Sequence, residues 1–200
     1  MLRTSVFSVG RFDIVCAISI ILTSFSIFSL LQSADAQTEN WKRFSDPGQK
    51  FTFLYPPGWV VNSTHNNING YTEASLVNPN SSRMKVSVVY NPKDSSLYSD
   101  TGKPVILSRA LADLVDQLSV DYVYFNSTGK FLHKYSIQNY TSASNVIDYE
   151  KVEGRAGKML LIYSKVSDTD TLLFTYMESK RLFYKQLPVV SMIIKSVTTI

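Results

Sequence analysis

The chain has 200 residues, 44% of them hydrophobic, with 20 Lys and Arg against 16 Asp and Glu and a net charge of +4. The basic residues are scattered, densest at Lys42-Arg43 and at Lys180-Arg181 with Lys185, and lack the stripe that nucleic-acid binding needs, so no nucleic-acid partner is expected. Cys16 is the single cysteine, which excludes a disulfide framework and leaves the domain to be held by packing.

The first segment reads as a leader. Arg3 and Arg11 precede residues 14–31, which carry no charge, and Ala34-Asp35-Ala36 follows with small residues at the two positions a signal peptidase reads. This predicts a signal peptide over residues 1–36 and a single domain over residues 37–200. The apolar run also approaches the length of a membrane span. An uncleaved anchor is therefore the alternative, with membrane contact confined to residues 14–31. Arginines ahead of the run leave the amino end inside and the domain outside in either case.

Residues 37–49 form a polar lead-in holding Trp41 and Phe44. Phe51, Phe53 and Tyr55 alternate with Thr52 and Leu54, a strand period. Pro56-Pro57-Gly58 ends the strand in a turn, and residues 59–61 begin the next. Residues 62–70 read as a polar loop. Strands follow over residues 71–77 and 84–90, the second with Met84, Val86, Val88 and Tyr90 on one face. Residues 91–104 read as a loop. Leu107, Leu111, Leu114, Val115 and Leu118 recur at helical spacing and predict a helix over 107–121. Residues 126–130 read as a turn and 131–140 as a weak strand.

Residues 145–153, 158–166 and 171–178 predict a three-strand meander with turns at Gly154-Arg155-Ala156-Gly157 and Ser167-Asp168-Thr169-Asp170. The two later strands are apolar on both faces, which implies a sheet covered on both sides. Phe183, Leu187, Val190, Ile194 and Val197 supply a second helical stripe, with Pro188 expected near that helix's first turn. The architecture predicted is α+β: an antiparallel sheet with a helix on each face.

The stretch Phe51-Thr52-Phe53-Leu54-Tyr55-Pro56-Pro57-Gly58-Trp59 resembles the opening signature of the PsbP family, named for an extrinsic subunit of photosystem II. The later order of elements, ending in Ile194-Lys195-Ser196-Val197, is similar too. The resemblance spans about residues 41–200 and implies an α/β/α sandwich, a fold similar to that of a small Ran-GTPase-binding import factor. It also implies an accessory or assembly role without catalysis. Two departures argue against a photosynthetic role: no long transit segment precedes the apolar run, and Cys16 lies at the start of that run, where it cannot carry a lipid anchor. No His and carboxylate set matches a metal site of the family.

The residues themselves offer little chemistry. His65 and His133 stand apart in polar surroundings, with no zinc-type spacing and no Gly-x-Ser-x-Gly elbow. Gly154 to Lys158 resembles a phosphate loop only faintly and reads as a hairpin turn. Asp168 and Asp170 are too few for a calcium site, and Trp59 reads as a core anchor. No catalytic residue, cofactor or metal is expected.

Asn62, Asn80, Asn126 and Asn139 begin sequons that a glycosylating host can modify. The function expected is a non-enzymatic binding module docking on a protein complex at a membrane or cell surface. The candidate contacts are Lys180, Arg181 and Lys185, together with His65 and Asn67 of the polar loop. A small-ligand or lipid pocket between sheet and helix is the alternative, and a hydrolase the third.

Overall fold

A computed structural model describes residues 40–98, 102, 105–127, 135–137 and 139–200. The expected leader, His133 and residues 131–134 and 138 of the expected weak strand lie outside the described residues; its described residues, 135–137, 139 and 140, form no strand.

Among the described residues ten strands and two α-helices follow one another: β1 (Lys42–Ser45), β2 (Phe51–Tyr55), β3 (Val60–His65), β4 (Thr72–Val77), β5 (Lys85–Asn91), α1 (Leu107–Ser119), β6 (Tyr124–Ser127), β7 (Thr141–Glu150), β8 (Ala156–Lys165), β9 (Thr171–Glu178), α2 (Lys180–Ser196) and β10 (Thr198–Thr199). Seven strands form an antiparallel sheet in the order β3-β4-β5-β9-β8-β7-β6, and β1, β2 and β10 form a small second sheet. Among the described residues no helix is long and apolar enough to cross a membrane.

Because side chains alternate along each strand, the large sheet has two faces with different fates. On one face Leu76, Val86, Val88, Leu160, Ile162, Leu172, Phe174 and Tyr176 are all but fully buried. They lie under Phe183, Val190, Ile193 and Ile194 of α2 and under Phe51 and Phe53 of β2. Each fully buried Phe contributes about 1.5–3 kcal/mol. The Tyr176 and Phe183 rings stack at 4.8 Å, and the Tyr176 hydroxyl donates to the Phe183 carbonyl at 2.9 Å. This ties β9 to the helix that follows it.

On the other face α1 packs on β6, β7 and β8. Ala110, Leu111 and Val115 cover Ala143, Ile147, Met159, Leu161 and Tyr163. The helix goes no further. Ser75 of β4, Ser87 and Val89 of β5, and Leu173 and Thr175 of β9 share this face and are only half-buried.

The expected sheet-and-helix architecture is present. Phe51 and Phe53 are buried, Tyr55 and Trp59 pack half-buried against the core, and Gly58 turns the chain at φ +84°. The far end of the resemblance closes on this motif: the Leu54 amide donates to Ser196 Oγ at 2.8 Å, and Thr198 and Thr199 pair with Thr52 and Phe51.

Several boundaries differ from expectation. The lead-in contains strand β1, paired with β2. Strand β3 runs on through Asn62 to His65, so the loop begins only at Asn66. Asn126 and Ser127 lie in edge strand β6 rather than a turn. Pro188 sits mid-helix in α2. It is exposed, so the carbonyl that its missing N–H leaves free can be met by water.

Candidate functional site

The uncovered half of the α1 face is a trough floored by β4, β5 and β9. Lys85 to Asn91 lie along it, seven residues of strand, or about 20 Å at the usual rise. Its three hollows share lining residues or lie over neighbouring register pairs, Val89 with Leu173 and Ser87 with Thr175.

At one end a cavity of about 350 Å³ is lined by apolar Val89, Ala110, Leu114 and Leu173 and by Tyr71, Asp113 and Gln117. Its floor is polar and buried. Asp94 Oδ2 accepts from Tyr163 Oη at 2.5 Å and from Thr171 Oγ1 at 2.6 Å. Asp94 Oδ1 accepts from the Ser96 amide at 3.0 Å and from Ser96 Oγ at 2.7 Å. Burial pushes the Asp94 carboxyl up, but the hydrogen bonds from Thr171, Tyr163 and Ser96 outweigh it and hold it below the ordinary carboxylate range. Burial, then the Asp94 hydrogen bond, raises the Tyr163 phenol. The phenol stays protonated and locked as a donor, so this knot fixes the cavity floor and supplies no base.

The middle of the trough is a wider hollow of about 550 Å³ over Glu73, Ser75, Ser87, Lys85, Thr175 and Met177. Glu73 is steadied by Tyr71 Oη and Ser75 Oγ, each at 3.3 Å. The far end narrows to about 70 Å³ between Arg83, Lys85, Lys151 and Arg155. The trough thus carries Asp113 at one end and Glu73 toward the middle and is basic at the other end, with Ser75, Ser87 and Thr175 on the floor between.

The residues singled out from sequence do not converge. His65 ends edge strand β3, and its Nδ1 meets Thr72 Oγ1 at 2.7 Å. Its ring packs over Gly48, where an added Cβ would come within 2.4 Å of it. Asp46 Oδ2 lies 3.1 Å from the same Cβ position, yet no ion pair joins it to His65. His65 is therefore a strand-end residue rather than a loop one, and Asn67 is exposed in the turn beyond it.

Lys180, Arg181 and Lys185 lie on the first turns of α2. Lys180 contacts Asp148 at 3.6 Å and lies 5.9 Å from the Tyr124 ring centroid, near the opposite edge strand β6. The two candidate surfaces therefore flank opposite edges of the large sheet. Asn62, Asn80, Asn126 and Asn139 are all exposed.

The Asp168-Thr169-Asp170 segment is a hairpin turn. Asp168 pairs with Lys165 at 2.8 Å, and Asp170 accepts from Tyr90 at 2.7 Å and from the Lys93 amide at 3.1 Å. Among the described residues no three His, Cys, Asp or Glu side chains converge on a metal position. Residues 151–155 likewise form a turn, closed by the Lys151 amide on the Arg155 carbonyl at 3.1 Å.

Among solved structures the chain is similar to the cyanobacterial PsbP, CyanoP, of Synechocystis. The TM-score is 0.52 at 10% identity, over 80% of this chain and 92% of that one. The Ran-binding protein Mog1p of Saccharomyces cerevisiae is a looser match, with TM-score 0.49 and 10% identity over 80% and 95% of the two chains. LpqN, involved in cell envelope biogenesis of Mycobacterium tuberculosis, gives 0.48 and 13% over 82% and 95%. The fold is PsbP-like, as the aromatic-strand and Tyr-Pro-Pro-Gly-Trp motif implies. A fold held in common does not fix a function. No family model and no curated protein matches the chain.

Proposed function

We propose that residues 37–200 are an extracytoplasmic, non-catalytic binding module, delivered by the leader, that docks on a protein complex at a membrane or cell surface. The trough beside α1 holds an extended segment of the partner. The observation that carries this reading is the unequal cover of the sheet: one face is sealed, whereas on the other α1 stops short and leaves half-buried Val89, Leu173 and Thr175 in a groove walled by a rigid helix. Grooves of this kind take peptide segments. The charge pattern selects a segment with acidic residues toward Lys85 and basic residues toward Glu73 and Asp113.

Ser87→Arg combined with Thr175→Arg tests it. Both side chains stand on the trough floor in register. The variant is expected to melt like the parent and to lose crosslinking to its partner in native membranes. Undiminished crosslinking removes the trough from consideration and leaves the basic group Lys180, Arg181 and Lys185. Changing His65 and His133 to Ala is expected to leave capture intact, and loss of a measurable turnover in that variant would end the non-catalytic reading. Amino-terminal sequencing of the native protein is expected to begin at Gln37; an intact Met1 on a membrane-bound product identifies an anchor instead.

One observation favours a second reading. The 350 Å³ cavity is of ligand-binding size and half apolar, as a site for a small molecule or lipid would be. A stoichiometric small molecule released from the purified native protein by organic extraction selects that reading.

A further inference from the structure

The narrow end of the trough has a composition that the docking reading does not use. Strand β9 lies between β5 and β8, and Met177 pairs with Lys85 on one side and Met159 on the other. The β4–β5 turn, the β7–β8 turn and the start of α2 therefore meet at one end of the sheet. They bring Arg83 and Lys85, Lys151 and Arg155, and Ser179 around a hollow of about 70 Å³ that no carboxylate lines. That volume is about twice one water's share of the liquid, room for one small ion.

The cations are largely unspent. Among the described residues Arg83 and Lys85 have no ion pair. Lys151 lies only near the Tyr122 ring, 5.8 Å from its centroid. Arg155 meets Glu153 at 3.7 Å with both side chains about two-thirds exposed, a contact of little strength.

The donor set goes beyond exposed cations. Tyr149 is 8% exposed and lines the hollow, and among the described residues its hydroxyl has no hydrogen-bond partner. Burial, followed by the neighbouring Tyr122 and Glu178, pushes the phenol up, with Arg83 pulling the other way; it remains a donor at neutral pH. The position beside it is glycine for a steric reason. A Cβ on Gly157 would sit 2.6 Å from the Tyr149 hydroxyl and 2.7 Å from the Glu178 carbonyl.

Ser179 stands at the N-cap of the 17-residue α2, but its side chain makes no capping bond, and the first turn of the helix holds no acidic residue. The partial positive charge of that terminus is met from one side only, by the Glu178 carboxylate on the Ser179 amide. The nearest buried negative charge, Glu178, is occupied by Ser81 Oγ at 2.9 Å and by the Ser179 amide at 2.7 Å.

We infer that Arg83, Lys85, Lys151, Arg155, Tyr149 and Ser179 form a binding site for a phosphate group, either free or as the monoester of a lipid headgroup. The site stands independently of the trough's role in docking. Two cationic arms and a fixed phenol match the several acceptor oxygens and double charge of that group.

Equilibrium dialysis of the full-length chain against radiolabelled inorganic phosphate tests the free form. Flotation with phosphatidic acid vesicles, read as the excess over phosphatidylcholine vesicles, tests the headgroup. Arg83→Gln with Lys151→Gln is expected to weaken binding by about tenfold or more, the scale of a lost charge-assisted hydrogen bond. Tyr149→Phe is expected to weaken it several-fold at unchanged melting temperature. Lys42→Gln with Arg43→Gln, an exposed basic pair elsewhere, is expected to leave it unchanged.

A response to phosphate alone assigns a free ion or small ester, and a response to vesicles alone assigns the headgroup. Saturable binding of neither probe, or binding that survives Arg83→Gln with Lys151→Gln, overturns the inference.

Discussion

Asp94→Ala is the sharpest test of how the cavity floor is held. Asp94 lies in the 91–104 segment and is 8% exposed, while Tyr163 and Thr171, which donate to it, are 4% and 1% exposed. Removing the carboxylate leaves the Thr171 hydroxyl without its acceptor in a place that water reaches poorly, whereas Tyr163 Oη can still donate to Ser96 Oγ, 2.6 Å away. Ser96 is exposed, so its amide can turn to solvent. An unmet buried donor costs about 1–3 kcal/mol, and loss of the charged acceptor for Tyr163 adds to it, giving about 2–4 kcal/mol. For a domain of this size that is a fall of roughly 5–15 °C in melting temperature.

The pH dependence of the same variant is diagnostic. The folded Asp94 carboxyl is held below its ordinary value, so the unfolded chain binds the proton more readily. Its stabilising effect is full above the unfolded value, about 4, and is lost as pH falls through the depressed folded value. Urea unfolding of parent and variant at neutral pH and near pH 3 measures both quantities. The gap between them is expected to narrow on acidification. A gap that stays constant, or a neutral-pH loss below about 1 kcal/mol, refutes the account of Asp94 as a charged acceptor.

Two further substitutions test the packing. Gly157→Ala would drive a methyl group into the Tyr149 hydroxyl and the Glu178 backbone; overpacking of this kind is expected to cost about 1–3 kcal/mol in urea unfolding, and a neutral result would mean that Tyr149 swings away freely. Trp59 packs against the core but is only half-buried, so Trp59→Ala is expected to cost about 2–3 kcal/mol, below the range for a fully buried aromatic; a parent-like melt with loss of partner binding would make it a surface contact.

The parts of the fold legible in the sequence are those where burial dictates the period. Val86, Val88 and Tyr90 alternate because one side of β5 is sealed. Leu111 and Val115 recur because α1 has one buried side. Strand β8 is apolar on both sides because both of its faces are covered, whereas β9 is sealed on one side and lines the trough with Leu173 and Met177 on the other. Where burial is absent the period fails. Strand β1 has Phe44 as its one apolar residue. The second half of β3 is Asn62-Ser63-Thr64-His65 on an edge of the sheet, and β6 is an edge strand as well. Edge and lead-in strands are specified by their neighbours' hydrogen bonds, which no local pattern records. The helix α2 begins at Lys180, three residues ahead of the apolar stripe that opens at Phe183, and Pro188, expected near the first turn, lies mid-helix on the solvent side, where a missing amide does little harm.

The candidate sites were hidden for a different reason: their members come from distant turns. Asp94, Ser95 and Ser96 announce a local turn through the Asp94 side chain bonding the Ser96 amide, but the partner hydroxyls lie near the adjoining ends of β8 and β9, brought there by sheet register. The basic hollow takes two cations from one turn, two from another and a hydroxyl from a helix start, with no charge run anywhere along the chain. A sheet whose strands all end in polar turns gathers charge at its ends whatever the order of strands. What separates this end from a generic solvated rim is Tyr149, a largely buried residue that lines the hollow beside four cations. A bound oxyanion would accept from its hydroxyl and relieve the cations' mutual repulsion together.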